Sequence, residues 1–339
     1  MILIDAIYIN NGGGKILLDY LMSSLNETSI EITYLLDGRI KNNHINVDKA
    51  TVFYINGSFL QRHIFYKKNR NAFSKILCFG NLPPSVKTTA QVYTYFHQPI
   101  YLKISKEFSL FQKFGFFVKI EILKYIANKT DFWWVQSNFI KQKLHEKFKF
   151  CPENIKVLPF YRPFDSDNSE IIRKKNSFIY VSNGTPHKNH KRLLRGFCKF
   201  YDNHKKGKLT LTINEQYPEV LQLIANAERG GYPVYNIGYV DRQLLQKIYL
   251  SSEFLIFPSM AESFGLGLIE AIECGCKVIG ANLPYTFEVC EPSLIFNPTE
   301  VQSIADAFAN SILSKNLQPS VPKIKNNIIE IINILNNEN

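Results

Sequence analysis

Two glutamates in the second half of the chain have the spacing and setting of a ligand-binding pair. They lie in FLIFPSMAESFGLGLIEAIECGCKVIGANLPYTFEV (residues 254–289), where a helix is predicted to begin near Gly265. Glu262 precedes that helix and Glu270 lies about two turns further along, so their carboxylates can accept hydrogen bonds from two separate groups of hydroxyls. The backbone amides around Phe264 favour an anion at the helix start. The pattern is typical of a site for a polyhydroxylated ligand with a diphosphate in its middle.

A second candidate for ligand binding lies near the N-terminus and consists of Gly12, Gly13, Gly14 and Lys15. The nucleotide P-loop pattern G-x-x-x-x-G-K-[ST] fails, because Ile9 replaces its first glycine and Ile16 its hydroxyl residue. The dinucleotide pattern G-x-G-x-x-G/A fails at Leu17. What remains is a strand, a loop and a helix whose free amide groups at residues 13–15 favour an anion. A plain strand-to-helix turn is the alternative at this point.

The elements that must position these residues follow an alternating pattern of short β-branched or aromatic runs and longer helical stretches. This pattern indicates parallel sheets with crossover helices. Strands are predicted at residues 2–9, 30–37, 51–56, 75–80, 91–96, 132–137, 155–160, 177–182, 208–213, 234–238, 253–258, 277–281 and 293–296. A polar segment, residues 161–176, is the predicted linker. We therefore expect an α/β chain of two doubly wound domains, with ligands bound beyond the carboxyl ends of the strands and in the cleft between the domains.

Charge and composition restrict the possible partners. The 339 residues carry a formal net charge of +11, and residues 101–150 hold ten lysines against four acidic residues. An acidic partner is expected, such as nucleic acid, an anionic membrane or a phosphorylated ligand. No apolar run reaches the ~18 residues of a membrane span, and the start lacks a basic signal region, so a soluble, unexported chain is predicted. The six scattered cysteines indicate neither a disulfide framework nor a zinc site.

The segment around the two glutamates resembles the E-x7-E element of the retaining glycosyltransferases of family 4, which have the GT-B fold. Other stretches are similar to that family as well. The family's strand, loop and Lys-Asn pair before a long helix are resembled by FIYVSNGTPHKNHKRLLRGF (178–197). Its Gly-Tyr-Val turn is resembled by YNIGYVDRQLLQKIY (235–249), and its closing stretch by NLPYTFEVCEPSLIFNP (282–298). The resemblance covers most of the second half and a few points of the first, including the glycine loop in position.

The resemblance implies a role for each matching residue. Glu262 would contact the hydroxyls of the donor sugar, Glu270 the ribose of the nucleotide, and Lys188 the donor diphosphate as the glycosidic bond breaks. His97, which ends a predicted strand, would lie near the donor sugar and acceptor; the alternative is a histidine satisfied at a strand end. The remaining substrate-binding residues would be Gly12, Gly13, Gly14, Asn183, Arg192, Tyr239, Ser263, Phe264, Gly265 and Leu266.

The chain departs from the family in one place. The family usually carries an arginine five residues before the lysine, and here Asn183 stands there. Either Arg192 or Lys191 would then supply the second positive charge, or the diphosphate is held with less charge.

The resemblance implies front-face attack without an enzymic nucleophile, and it implies no metal or other cofactor. Two metal-like patterns are interpreted otherwise: Asp165-Ser166-Asp167 as a solvated turn in the linker, and the spacing of His187 and His190 as lacking a third ligand.

A basic, aromatic segment, residues 108–129, is predicted to form an amphipathic helix. Lys113, Lys119 and Lys124 lie beside Phe111, Phe116 and Phe117. Such a helix can rest on an anionic membrane face, where a lipid-linked acceptor would be found. The alternative is a helix packed on the sheet with a solvated lysine edge. We favour the membrane because the positive charge is so concentrated here.

These observations lead to three predicted domains: 1–165 for the acceptor, 166–318 for the nucleotide sugar, and a C-terminal helix, 319–339, that packs back on the first domain. The predicted function is retaining, metal-independent transfer of a sugar from a nucleotide sugar to a polyprenyl-linked glycan. The predicted setting is bacterial surface polysaccharide (O-antigen, capsule or lipopolysaccharide) synthesis on the cytoplasmic face of the inner membrane. Competing hypotheses are an epimerase-like GT-B enzyme, an inactive transferase, and a basic nucleic-acid-binding protein. The two glutamates speak against nucleic-acid binding, because carboxylates at a helix start would repel backbone phosphates. The nucleotide (UDP, GDP or dTDP), the sugar and the linkage stay open.

Overall fold

A computed structural model describes residues 1–41, 47, 50–102, 104, 108–165, 171–314 and 316–337. The strands of the first half are β1 (Ile2–Ala6), β2 (Ile32–Asp37), β3 (Thr51–Ile55), β4 (Lys75–Cys78), β5 (Gln91–Phe96), β6 (Phe132–Val135) and β7 (Ile155–Val157). Those of the second half are β8 (Lys174–Tyr180), β9 (Lys208–Leu211), β10 (Val234–Asn236), β11 (Ser252–Phe257), β12 (Lys277–Ala281), β13 (Cys290–Glu291), β14 (Leu294–Phe296) and β15 (Val321–Pro322).

Eleven α-helices connect or follow these strands in the described residues. They are α1 (Gly12–Asn26), α2 (Phe59–Asn69), α3 (Leu110–Ile126), α4 (Asn138–Phe148), α5 (His190–His204), α6 (Pro218–Arg229), α7 (Arg242–Ser251), α8 (Leu266–Glu273), α9 (Pro284–Val289), α10 (Val301–Leu313) and α11 (Ile328–Asn336). No helix among the described residues combines the length and the apolar character that crossing a bilayer requires.

The chain forms two units. One comprises Met1–Arg162 and Lys325–Asn339, and the other comprises Pro163–Ile324. The predicted domain boundaries, after residues 165 and 318, differ from these by a few residues. The segment predicted as a linker has no regular structure over 161–165 and 171–173, but β8 begins at Lys174. The sequence missed this strand start because its first residues are lysines exposed to solvent.

The first unit has a seven-stranded sheet in the order β3-β2-β1-β4-β5-β6-β7, and all of its strand pairs are parallel. Side chains alternate between two buried faces, as a parallel sheet covered on both sides requires. Ile2, Ile4 and Ala6 face a core that α1 and α11 cover. Leu3 faces the opposite core with α2. The predicted strands therefore exist, although several end earlier than predicted because buried residues such as Phe79 continue beyond the last strand pairing.

A buried charged network holds the loop after β4 in the first unit. Arg62 of α2 donates to Asp5 of β1 at 2.7 Å, and Tyr66 donates to the same carboxylate oxygen at 2.6 Å. The guanidinium also donates to the backbone carbonyls of Leu82 and Pro83 at 2.8 and 2.9 Å. A fully buried arginine needs such complete pairing, and here the pairing fixes the chain where it leaves the carboxyl end of the sheet.

The C-terminal helix α11 packs on this first unit. Ile328, Ile331 and Leu335 join the core formed with α1. The Lys75 ammonium at the start of β4 donates to the carbonyls of Ile334 and Asn337. A cation at a helix C-terminus satisfies carbonyls that have no partner within the helix.

The second unit has a six-stranded parallel sheet in the order β10-β9-β8-β11-β12-β14. The small antiparallel pair of β13 and β15 was not predicted, because two-residue strands carry no readable alternation. Helix α5 packs closely on α10, where Gly196 leaves no space for a side chain: an added Cβ would lie 2.5 Å from Ile304. Both units therefore have the doubly wound α/β architecture that the sequence predicts.

Candidate functional site

The second unit has a crevice where its strand order reverses. β8 and β11 are neighbours at the centre of the sheet, and the chain leaves them toward opposite edges. Such a switch point, at the carboxyl ends of the strands, is where doubly wound sheets bind ligands. The loop after β8 (residues 181–189) and the loop after β11 (residues 258–265) therefore define the candidate site. Met260 joins the two loops by donating its N–H to the His187 carbonyl at 2.7 Å.

Lys188 is held in the loop after β8 by contacts of its backbone and of the next residue. The Tyr180 hydroxyl donates to the Lys188 carbonyl at 3.0 Å. Asn189 has a left-handed backbone (φ 63°) and begins α5. Its side-chain amide donates to the carbonyls of Pro258 and Pro298 at 3.1 and 2.8 Å. These bonds tie Lys188 to the strand end that carries Glu262.

Lys188 and Glu262 form an ion pair across the crevice. The Lys188 Nζ lies 2.5 Å from Glu262 Oε1, and the two side chains are 15% and 13% exposed. The sequence predicts that both contact one ligand, and the structure brings them together although 74 positions separate them. A cation and a carboxylate at one point can bind a phosphate and a hydroxyl of the same molecule.

The start of α8 lies directly after Glu262. Gly265 caps this helix with φ 76°, a conformation that residues with side chains rarely adopt. Its carbonyl accepts from the Leu268 N–H at 2.8 Å. Ser263 and Phe264 precede the cap, Phe264 is buried, and Leu266 is the first helical residue. The first-turn amides of α8 thus carry the partial positive charge that favours an anion.

Glu270 lies one turn into α8 and is almost completely buried. It does not contact Lys188 or Glu262. Its Oε1 accepts from Arg242 Nη1 of α7 at 2.6 Å, and the Arg242 guanidinium lies 4.1 Å from the centre of the Phe164 ring. Burial raises the pKa of Glu270 to about 6, although Arg242 lowers it. Arg242 was not predicted as a site residue, because its partner lies 28 positions away on another helix.

The other residues predicted in this unit have different surroundings. Asn183 is exposed and accepts from the Thr185 N–H and hydroxyl, so it stabilises a turn. Arg192 donates to Asn189 at 3.1 Å, beside Lys188, whereas Lys191 is exposed. Tyr239 is 82% exposed. Of the two candidates for the second positive charge, Arg192 is therefore the one linked to the lysine loop.

His187 of this loop and His190, the first residue of α5, both favour the neutral form near pH 7. Burial lowers the pKa of His190 to about 3 and also lowers the pKa of His187. His190 contacts the Ser182 hydroxyl at 3.1 Å. The described part of the chain contains no group of three side chains suited to a metal ion. The Asp165-Ser166-Asp167 pattern lies partly outside the described residues.

In the first unit, the structure brings His97 and the glycine loop together. Gly12, Gly13 and Gly14 form the first turn of α1, with φ 60° at Gly12. A Cβ on Gly14 would lie 3.8 Å from His97 Nε2. The prediction of a free amide at Lys15 is wrong, because this N–H donates to the Asn11 carbonyl and closes the first helical turn.

His97 directly follows β5 and is held by one asparagine. Its N–H donates to Asn81 Oδ1 at 2.7 Å, and its Nε2 lies 3.4 Å from the Asn81 amide nitrogen. Burial lowers the pKa of His97 to about 4, so the ring is neutral at physiological pH. Its buried Nδ1 has no hydrogen-bond partner within the described part of the chain. The alternative that His97 is only a satisfied histidine at a strand end explains the contact of Nε2 with Asn81. It does not explain why the buried Nδ1 has no partner.

Comparison with known proteins assigns a family to the second half of the chain. Residues 162–329, about half of the chain, match the family model described as glycosyl transferases group 1. O-antigen chain mannosyltransferase B of Escherichia coli is 27% identical over 147 residues, which are 40% of this chain and 36% of that protein. The aligned segments span less than half the length of the curated relatives.

Solved structures show the same fold over nearly the whole chain. Sucrose-phosphate synthase from Thermosynechococcus elongatus matches with a TM-score of 0.72 at 16% identity, covering 92% of this chain and 90% of that one. Anabaena HepE in complex with UDP-glucose matches with a TM-score of 0.70 at 17% identity, covering 98% and 94%. At such identities the likeness shows the fold alone, which is the expected pair of Rossmann-like α/β domains.

Proposed function

We propose that this chain is a glycosyltransferase, starting from the premise that residues 162–329 belong to the glycosyl transferases group 1 family and that the whole chain has the GT-B fold. The observation that carries the proposal is the ion pair of Lys188 and Glu262 at the switch point of the second sheet. Donor binding would place phosphate oxygens at the lysine and sugar hydroxyls at the glutamate. The reaction moves a hexosyl group from a nucleotide sugar to a glycan hydroxyl.

Each residue of the second unit has a proposed task in this reaction. Lys188 stabilises the diphosphate as negative charge develops on it, and the first-turn amides of α8 add to this stabilisation. Glu262 accepts hydrogen bonds from the donor sugar, and Glu270 from the ribose. The leaving diphosphate helps to take the acceptor proton during front-face attack, so the anomeric configuration is retained and no metal is required. The tasks proposed for His97 and residues 12–14, near the donor sugar and the diphosphate, stay predictions.

The nucleotide and the sugar are proposed only as classes. Anabaena HepE was crystallised with UDP-glucose, and the Escherichia coli relative is a mannosyltransferase of O-antigen chains. These names support a nucleotide-hexose donor and a surface-polysaccharide acceptor. UDP, GDP and dTDP all remain to be compared by measurement.

The acceptor is proposed to be lipid-linked and reached at the cytoplasmic face of the inner membrane. Helix α3 supports this part of the proposal, because it is apolar on two sides. Leu123 and Ile126 pack in a core cluster of the first unit, and Ile120 is buried as well. On the outside are large apolar side chains, each more than half exposed: Leu110, Phe111, Phe114, Phe117 and Tyr125. We call these five residues the α3 stripe.

The α3 stripe has basic neighbours. Lys119 is exposed, with its ammonium 5.2 Å from the centre of the Phe116 ring. Lys124 is half exposed and pairs with Glu121 at 2.7 Å. Phe116 itself is covered by Phe108 and Tyr101 and is not part of the stripe. An exposed apolar stripe with lysines beside it fits the headgroup region of an anionic bilayer.

The test is a transfer assay with nucleotide sugars and a polyprenyl-linked glycan acceptor. Lys188→Met and Glu262→Gln are expected to reduce transfer roughly 100-fold, because each removes a group that stabilises the transition state. Lys199→Met, which removes an exposed lysine from α5, is the matched control and should retain activity. Altered nucleotide sugar without acceptor would favour the epimerase-like alternative. Equal activity of all three variants would contradict the proposed site.

A nucleic-acid-binding role is the alternative from another class, and salt dependence separates it from the proposal. Phosphate-backbone binding predicts an affinity for DNA or RNA that falls steeply with salt. The proposed enzyme predicts no such binding and a nucleotide affinity that depends little on salt. Nucleotide titration together with the transfer assay identifies an inactive transferase, which would bind the donor without transferring its sugar.

A further inference from the structure

Arg242 is the one charged side chain that pairs with Glu270 in the described part of the second unit. Its Nη1 lies 2.6 Å from Glu270 Oε1, and the arginine side chain is 20% exposed while the glutamate is 4% exposed. We propose that Arg242 is a positioning residue that holds the Glu270 carboxylate ionised and oriented toward the nucleotide ribose. This inference rests on the proposed function for the identity of the ligand.

The start of α7 and the Phe164 ring fix Arg242 where it meets Glu270. It is the first residue of α7, and Asp241 caps that helix by accepting from the Leu244 N–H at 2.8 Å. The guanidinium carbon lies over the Phe164 ring, 4.1 Å from its centre. Stacking on an aromatic ring and pairing with a carboxylate restrict an arginine more than either contact alone. The pair therefore has a defined geometry, unlike a mobile surface ion pair.

Glu270 depends on this pairing because its surroundings disfavour a charge. Burial raises the pKa of Glu270 to about 6, Arg242 opposes this effect, and Glu273 adds to it. The Tyr249 hydroxyl of α7 is buried without a hydrogen-bond partner in the described residues. The titratable or charged groups that interact with Glu270 are Arg242 and Tyr249 from α7, Glu273 at the end of α8, and Cys274 directly after it. Only Arg242 among them favours the carboxylate.

The protonation state of Glu270 decides what it can bind. An ionised carboxylate accepts hydrogen bonds from both ribose hydroxyls, whereas a protonated carboxyl group loses one acceptor position to its own proton. Without Arg242 the pKa of Glu270 would rise further above 6, and the group would be partly protonated at pH 7. Arg242 therefore sets the lower pH limit of nucleotide binding.

Calorimetric titration of UDP, GDP and dTDP tests this inference on Arg242→Met and Arg242→Lys at pH 6.0, 7.0 and 8.5. If losing Arg242 raises the pKa of Glu270 by about one unit, the ionised fraction of Glu270 falls roughly fivefold at pH 6.0 and about twofold at pH 7.0. We therefore expect Arg242→Met to weaken binding by these factors at pH 6.0 and 7.0, and to have little effect on binding at pH 8.5. Arg242→Lys should recover part of the affinity. Lys247→Met, which removes an exposed cation from the same helix, is the control and should bind like wild type. Tighter binding by Arg242→Met would overturn the inference, because Arg242 would then block the site.

A measurement without ligand separates failure of this inference from failure of the proposed function. The pKa of folded Glu270 lies above its ordinary value of 4.5, so its ionisation destabilises the fold as the pH rises through 6. Losing Arg242 raises the pKa of Glu270 further, so the destabilisation continues to higher pH in Arg242→Met than in wild type. The difference in Tm between wild type and Arg242→Met should therefore grow between pH 5 and 8. The deficit should be independent of pH in the Glu270→Gln background.

The outcomes of the two measurements are distinct. A Tm deficit that is the same at every pH and in both backgrounds would mean that Arg242 only packs against Phe164, and would overturn the inference. If the Tm coupling appears but wild type binds no nucleotide, the proposed function fails while the ionic coupling of Arg242 to Glu270 stands, and the assigned ribose role fails with it.

Discussion

At the residue scale, Asn189 connects the two loops of the candidate site. It takes a left-handed backbone conformation and donates to carbonyls that follow β11 and β14. Its Oδ1 accepts from Arg192. A single asparagine thereby holds Lys188 against the strand end that leads to Glu262. The chemistry proposed for Lys188 depends on this geometry.

Asn189→Asp tests that dependence, because aspartate has the same shape and tolerates the left-handed conformation. The change replaces two donated hydrogen bonds by a carboxylate oxygen that faces two carbonyls. We expect a loss of about 3 kcal/mol of unfolding free energy, since two buried acceptors lose their partner. Thermal and denaturant unfolding measure the loss. Asn183→Asp is the control, because Asn183 is exposed and uses only its oxygen as an acceptor; if both variants lose stability equally, Asn189 does not have this role.

At the element scale, α3 exposes the five large apolar side chains of the α3 stripe. The sequence predicts an amphipathic helix over residues 108–129, and the helix spans Leu110–Ile126 with Ser109 as its cap. The side-chain pattern did not predict which aromatics are covered. Phe116 packs on neighbouring rings, whereas Phe111 is 86% exposed.

Vesicle co-sedimentation tests the contact proposed for the α3 stripe. Wild type should bind vesicles that contain phosphatidylglycerol and not vesicles of phosphatidylcholine alone, because lysines flank the stripe. Changing Phe111, Phe114 and Phe117 to glutamine should reduce binding at least several-fold by removing buried apolar area. The control changes Leu60 and Ile64 to glutamine, which are exposed on α2 of the same unit. Unchanged sedimentation of the α3 variant would contradict the proposal, and loss of a dimer in that variant would identify a second copy as the partner.

Strands were more predictable than side-chain partners. Buried parallel strands such as ILIDA in β1 are continuous apolar runs that the sequence displays directly. Their carboxyl ends were less predictable, because buried residues such as Phe79 continue the apolar pattern beyond the last pairing. The site residues also differ in how well the sequence predicts them. Glu262 and Glu270 are visible as a spaced pair, while the partner of Glu270, Arg242, depends on how two helices pack.

At the scale of the whole molecule, two doubly wound units divide the chain near residues 162 and 324. The alternation of strands and helices predicts this architecture, because a βαβ pattern has few compact solutions. The return of α11 to the first unit depends on Ile328, Ile331 and Leu335, which form an apolar helical face. The identity of the ligand is less predictable, since a fold supports many activities.

The most direct measurement of the central claim is calorimetric titration of UDP, GDP, dTDP and CDP, and of their common sugars, into wild type and Glu270→Gln. We expect one nucleotide class to bind wild type, and the substitution to weaken this binding roughly tenfold because a carboxylate acceptor for the ribose is lost. The Glu300→Gln variant, which changes an exposed glutamate of the same unit, should bind normally. Absence of binding at millimolar nucleotide, or equal binding by wild type and Glu270→Gln, would contradict the assignment of this crevice as a nucleotide-sugar site.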